Sequence, residues 1–118
     1  MNEYGSPKPD LNWLLDDMVN RVVGAQNAIV LSADGLLIGK SAGMGKDDSD
    51  QLSAIASSLQ SLAKGVSKQF NRGPVLQNMI EMERGYLFVS AAGQGACLAV
   101  LAADDVDVEM IAYEMSRL

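Results

Sequence analysis

The feature that most constrains this chain is a long amphipathic segment between residues 49 and 70. Its apolar side chains recur every three or four positions, which is the spacing of one face of an α-helix. These positions are Leu52, Ile55, Ala56, Leu59, Leu62, Ala63, Val66 and Phe70. Gly73 and Pro74 follow the segment and favour a stop. The pattern predicts a helix over about 49–70 with one continuous apolar stripe.

The side of this helix opposite the stripe carries small residues where charged ones are usual. No charged residue occurs over 51–63. Ser and Gly lower helix propensity, whereas Lys, Glu and Arg favour both helix and solubility. The pattern therefore favours a protein packed against this side, and a small polar face that water simply covers is the alternative. The residues on this side are Ala54, Ser57, Ser58, Ser61 and Gly65.

Shorter patterns predict two further helices and five strands. Asp10 is placed to cap a first helix that ends near Gly24, and Asp104 or Asp105 to cap a last helix that runs to Leu118. The predicted strands cover 28–32, 36–38, 75–83, 86–92 and 96–103. Turns are expected at Asp34-Gly35, at Arg84-Gly85 and at 93–95, because Asp-Gly is a strong hairpin signal.

The character of each strand predicts its place in the sheet. The first, fourth and fifth are apolar on both faces, which suits central strands covered by helices on both sides. The second and third are polar or interrupted, as edge strands usually are. The expected fold is an α/β sandwich of order α-β-β-α-β-β-β-α, with an antiparallel sheet ordered 2-1-5-4-3. Residues 10–118 would form this single domain after a flexible tail over 1–9.

Composition excludes several functional classes. The net charge is −6 and the nine Lys and Arg residues are scattered, which argues against nucleic acid and anionic membrane surfaces. No apolar run reaches the roughly 18 residues of a membrane helix. Histidine is absent, and the single cysteine, Cys97, lies in an apolar run. We therefore expect a cytoplasmic protein that is not an enzyme.

Two short motifs imitate ligand sites and fail on spacing. Residues 39–41 end like a phosphate-binding P-loop, but Asp34 occupies the position that requires glycine. Asp47, Asp48 and Asp50 resemble part of a calcium loop, but the later glycine and glutamate are missing, so acidic residues at a helix start explain them more simply. No cofactor and no metal are expected.

The element order and two segments, AIVLSADGLLIGKS and YLFVSAAGQGACLAVLAA, resemble the Roadblock/dynein light chain family over residues 11–118. Within it the chain looks most similar to bacterial members that accompany Ras-like small GTPases. The resemblance implies a homodimer in which the third strand pairs across a two-fold axis and the long helices lie side by side. It also implies a regulatory or scaffold role, with binding of a small GTPase or its signalling complex.

Strand and helix projection gives the residues expected to make these contacts. The dimer interface is placed on Leu76, Asn78, Ile80, Met82, Ser57, Ser58, Ser61 and Gly65. The partner surface is placed on Ala54, Ser57, Ser61 and Trp13, because Trp13 falls off the apolar face of the first helix. A Trp folded over the domain edge is the alternative at that position. A small-molecule sensor is the rival function, although Ser32 and Ser90 are the only polar residues expected along the central strands.

Overall fold

The computed structural model describes residues 10–118, in which three α-helices flank one five-stranded sheet. The elements are α1 (Leu11–Arg21), β1 (Ala25–Leu31), β2 (Leu37–Lys40), α2 (Lys46–Phe70), β3 (Gln77–Met82), β4 (Gly85–Ala91), β5 (Cys97–Ala103) and α3 (Val108–Ser116), with a 3-10 turn at Gly93–Gly95. The predicted element order is confirmed. The predicted tail, residues 1–9, lies outside the described residues.

The sheet is antiparallel throughout and has the order β2-β1-β5-β4-β3. This confirms the predicted order. Helices cover both faces of the three middle strands, so most of their side chains are buried whichever way they point. The two polar or interrupted strands, β2 and β3, lie at the edges of the sheet.

Two cores form, one on each face of the sheet. On one face α1 and α3 pack through Met18 and Ile111 against Phe88 of β4, all fully buried. On the other face α2 packs through Ala56 against Val89. Burying a side chain of the size of Phe88 stabilises the fold by roughly 1.5–3 kcal/mol. Both cores are therefore formed by helices whose positions the spacing of apolar residues had predicted.

An ion pair holds the two helices of the first core together. Nη1 of Arg21, at the end of α1, donates to Oε1 of Glu114 of α3 at 2.5 Å. Nε of the same side chain donates to Oδ2 of Asp17 at 2.9 Å. The hydrogen bond to Glu114, followed by that to Asp17, raises the pKa of Arg21 above its ordinary value. Glu114 is largely buried, so its charge is satisfied by a partner rather than by water.

Of the two predicted helix caps, the first is confirmed and the second is wrong. Asp10 caps α1 as expected and accepts a hydrogen bond from Trp13 N at 2.7 Å. The cap of α3 is Asp107, which accepts from Met110 N at 3.1 Å, and not Asp104 or Asp105. Those two residues lie in a turn closed by the hydrogen bond from Val106 N to the carbonyl oxygen of Ala103. The helix therefore begins after this turn rather than at it.

The long helix also begins earlier than predicted. It starts at Lys46 after Gly45, whose side chain can offer no cap. Asp47 and Asp48 then occupy the first turn, where negative charge interacts favourably with the helix dipole. This interaction lets the helix extend three residues beyond the predicted start at Ser49.

The three predicted turns are present: the third is the 3-10 turn at Gly93–Gly95, and the first two shift by a residue. The first is a three-residue loop over 33–35, closed by the hydrogen bond from Ser32 N to Leu36 O at 2.8 Å, with Gly35 at a φ of 87°. The second turn is 83–84, because Gly85 already pairs with Met82. Glycine is required at position 85, since a β-carbon there would stand 2.6 Å from the carbonyl oxygen of Ala102.

Candidate interaction surfaces

The apolar stripe of α2 does not form one buried face. Leu52 and Ala56 are buried, but Leu62 is 70% exposed and Phe70 is 61% exposed. Ile55 and Val66 are also about half exposed or more. The predicted stripe is therefore divided between the core and the surface, and we call its four exposed residues the apolar row.

A row of smaller residues on α2 faces the sheet instead. Ser49, Ser53, Ala56 and Gln60 are all buried and recur at spacings of four and three. Small side chains allow a helix to approach a sheet closely, so this row takes the core position. At about 100° per residue, the apolar row lies roughly a third of a turn away from it. The signal that sequence reasoning missed was this second, small-residue periodicity.

The apolar row points towards the edge of the sheet formed by β3. Ile55 lines a groove together with Ile80 and Met82 of β3, and the groove has a volume of about 450 Å³. Further along the helix, Val66 borders a second groove with Asn78. The exposed apolar side of α2 therefore adjoins the edge strand at two places along the helix.

The outer edge of β3 is open. The strand pairs with β4 along one side, from Gln77 opposite Ser90 to Met82 opposite Gly85. Within residues 10–118 no other strand pairs with it. Of the residues predicted here, Leu76 is 84% exposed, Met82 is exposed, and Asn78 and Ile80 are half-buried against α2.

The opposite edge of the sheet, β2, is covered by α1. The N–H of Lys40 donates to Oδ1 of Asn12 at 2.9 Å, and the N–H of Ala42 donates to Oδ1 of Asp16 at 2.6 Å. The helix lies so close that a β-carbon on Gly39 would stand 2.8 Å from Leu11. Side chains of α1 thus occupy two backbone donors at this edge that another strand would need. The two edges of one sheet differ in their capacity to pair.

A polar contact fixes the position of α2 relative to β3. Gln60 is only 3% exposed, and its Oε1 accepts a hydrogen bond from Nδ2 of Asn78 at 2.5 Å. A buried amide without a partner would cost roughly 1–3 kcal/mol, so this bond is strongly favoured. Asn78 therefore acts within the protomer as well as lying at the predicted interface.

The small face of α2 lies away from the open edge. Ala54, Ser58, Ser61 and Gly65 are exposed, whereas Ser57 is half-buried. Oγ of Ser57 lies 3.0 Å from where a β-carbon on Gly35 would stand, in the β1–β2 hairpin. The structure therefore does not bring these small residues together with Leu76, Asn78, Ile80 and Met82 in one patch.

Trp13 belongs to a different surface. It is 54% exposed on α1, which packs on the face of the sheet opposite α2. The residue is off the buried face of α1, as the projection predicted. It is not brought together with Ala54, Ser57 and Ser61.

Other side-chain chemistry in the described chain offers no metal centre. Across residues 10–118 no group of three or more His, Cys, Asp or Glu side chains could hold a metal ion. Cys97 is buried in the core beneath α2. No helix in that part of the chain is long and apolar enough to cross a membrane.

Comparison with known proteins identifies the family. The Roadblock/LC7 domain model matches residues 11–102. The chain belongs to the Roadblock/LC7 family. A Roadblock/LC7 domain from Streptomyces avermitilis shares 40% identity, with 92% of this chain and 91% of that chain covered, at a TM-score of 0.88. A second structure of a domain from that organism shares 41% identity, covers 93% and 95%, and has a TM-score of 0.76.

More distant solved structures share the fold alone. Myxococcus xanthus MglB has a TM-score of 0.78 at 15% identity, with 90% of this chain and 85% of that chain covered. The gliding protein MglB from Thermus thermophilus has a TM-score of 0.77 at 15% identity, covering 88% and 78%. A search of curated protein sequences gives no significant match. The predicted likeness to bacterial family members is confirmed.

Proposed function

We propose that this protein is a non-catalytic, homodimeric regulatory module that binds a Ras-like small GTPase or its signalling complex in the cytoplasm. The observation that carries the proposal is the open β3 edge beside an exposed apolar row on α2. The small GTPase is inferred from the roles known for the Roadblock family, and not from a residue pattern in this chain. The protein would act by holding its partner rather than by chemistry of its own.

The β3 edge supports self-association. An open strand presents unpaired backbone groups and invites another strand. Lys, Pro or an inward charge usually blocks such an edge, but β3 carries a single charge, Glu81, near its end. On the β2 side, by contrast, the N–H groups of Lys40 and of Ala42, just after the strand, already donate to Asn12 and Asp16. Pairing through β3 extends the sheet and leaves β2 as the outer edge.

The apolar row supports the same contact. Burying a side chain of the size of Leu62 or Phe70 contributes roughly 1.5–3 kcal/mol relative to exposure. Two copies joined through β3 would bring their α2 helices side by side above the joined sheet. The dimer surface we propose therefore keeps Leu76, Asn78, Ile80 and Met82 and adds the apolar row.

The small face of α2 is then free for a second partner. Ala54, Ser58 and Ser61 are exposed and small, so a helix of another protein can approach them closely. Ser57 and Gly65 border this face. We assign it to the GTPase or its complex, and Trp13 to a separate contact on the other side of the domain.

Capture by immobilised protein from the native cytosol tests this function. Wild-type protein should retain a Ras-like GTPase, identified by mass spectrometry. Ser61→Arg should stay dimeric and lose that protein, because a long charged side chain blocks close helix approach. Val23→Arg, at an exposed site outside these surfaces, is the matched control and should retain it. Absence of any GTPase with the wild type, or its retention by Ser61→Arg, would contradict the proposal.

A further inference from the structure

The spacing of the apolar row determines how two copies of α2 could cover one another. The four residues of the apolar row, together with half-buried Leu59, occupy positions 55, 59, 62, 66 and 70. When two copies of a helix run antiparallel about a two-fold axis, this row covers itself fully only if its midpoint, near Leu62, lies on the axis. Ile55 of one copy then faces Phe70 of the other, and Leu59 faces Val66.

From this register we propose that Phe70 of a second copy fills the apolar groove beside Ile55. The inference rests on the proposed homodimer and specifies how its two helices meet. The groove is about 450 Å³ and is lined mostly by apolar side chains from both α2 and the sheet, together with Asn27, Asp48 and Gln51. Its apolar lining includes Leu52, Ile55, Ile80, Met82, Leu87 and Leu101.

The position of β3 is consistent with the same axis. Asn78 lies beside the middle of the row, since it bonds to Gln60 and borders a groove with Ala63 and Val66. A two-fold axis near Asn78 would pair β3 with its copy and place Leu76 opposite Ile80 of the partner. The helix and the strand therefore share one centre, as a single symmetry axis requires.

Strand pairing alone buries less area than a stable interface needs, so α2 must contribute to the contact. A standard interface buries about 800 Å² on each partner. Pairing of two six-residue strands covers only a narrow strip of that area. The apolar row from Ile55 to Phe70 extends about 22 Å along α2 at 1.5 Å per residue. Closing it against a second copy supplies the remaining apolar contact.

Variants of the full chain that each carry one introduced cysteine in addition to buried Cys97 test the register. Disulfides form only where Cα atoms approach within about 7 Å. Ile55→Cys and Phe70→Cys should each fail to cross-link alone and should cross-link when mixed and mildly oxidised. Leu62→Cys, at the axis, should cross-link with itself. Wild-type protein, whose Cys97 is buried, gives the background.

The outcomes separate this inference from the proposed dimer. A dimer in which Ile55→Cys cross-links with itself, or in which the mixture does not cross-link, would overturn the register and leave the homodimer intact. A monomeric wild type would overturn both. Phe70→Ala should weaken the dimer roughly tenfold or more, whereas Val23→Ala, at an exposed site off the row, should not change it. An unchanged dimer with Phe70→Ala would also refute the groove contact.

Discussion

Asn78 of β3 donates a 2.5 Å hydrogen bond from Nδ2 to Oε1 of Gln60 of α2. The bond joins the edge strand to the helix that overhangs it. Because Gln60 is buried, the bond has little competition from water. The open edge and the apolar row are thereby held as one surface within the protomer.

Removing this bond should destabilise the fold. Asn78→Ala leaves the buried Oε1 of Gln60 without its donor, which should lower the free energy of unfolding by about 1–3 kcal/mol. Urea denaturation at fixed protein concentration measures the change. Gln77→Ala, at the adjacent exposed position, is the control and should stay within about 0.5 kcal/mol of wild type. Equal stability of both variants would show that the Asn78 bond contributes nothing.

Exposing the β2 edge should create a second site of association. Asn12→Ala combined with Asp16→Ala removes the acceptors of Lys40 N and Ala42 N. An uncapped edge favours pairing with other chains. Light scattering after gel filtration should then detect species larger than those of wild type, and more of them at higher concentration. Asn20→Ala, also on α1, is the control, and a double variant that behaves like it would contradict the capping role.

A charge beside the β3 edge should oppose self-association. Leu76 and Val23 are both 84% exposed, so Lys at either site should leave the protomer folded. Leu76→Lys should raise the dissociation constant of the dimer roughly tenfold or more, because a charge replaces the apolar contact proposed with Ile80 of the partner subunit and must be taken out of water. Val23→Lys should leave it unchanged. Analytical ultracentrifugation across a dilution series measures both dissociation constants. Equal values for the two variants would contradict the prediction.

The sequence predicted the fold closely because two simple periodicities determine it. Apolar residues at helical spacing located all three helices, and strands that are apolar on both faces, such as β4 and β5, could lie only in the centre. The positions of helix caps and turns were harder to predict. Three acidic residues compete near α3, and only the turn at Val106 selects Asp107.

The candidate site was harder to predict for a specific physical reason. Helical spacing shows that Leu62 and Phe70 share a face with Leu52, but it does not show which way that face turns. The buried position of Ser53 and Gln60 turns the apolar side towards β3. Likewise, both edge strands have polar sequences, and only the contacts of Asn12 and Asp16 distinguish the capped edge from the open one.

Sedimentation velocity at micromolar concentration tests the central claim, that the β3 edge and the apolar row bind a second copy of the chain. Wild type and Ser61→Arg should sediment as dimers, because the small face lies outside the contact. Leu62→Arg should sediment as a folded monomer, since it places a charge at the axis of the row. A monomeric wild type, or a Leu62→Arg variant that remains fully dimeric, would contradict this account.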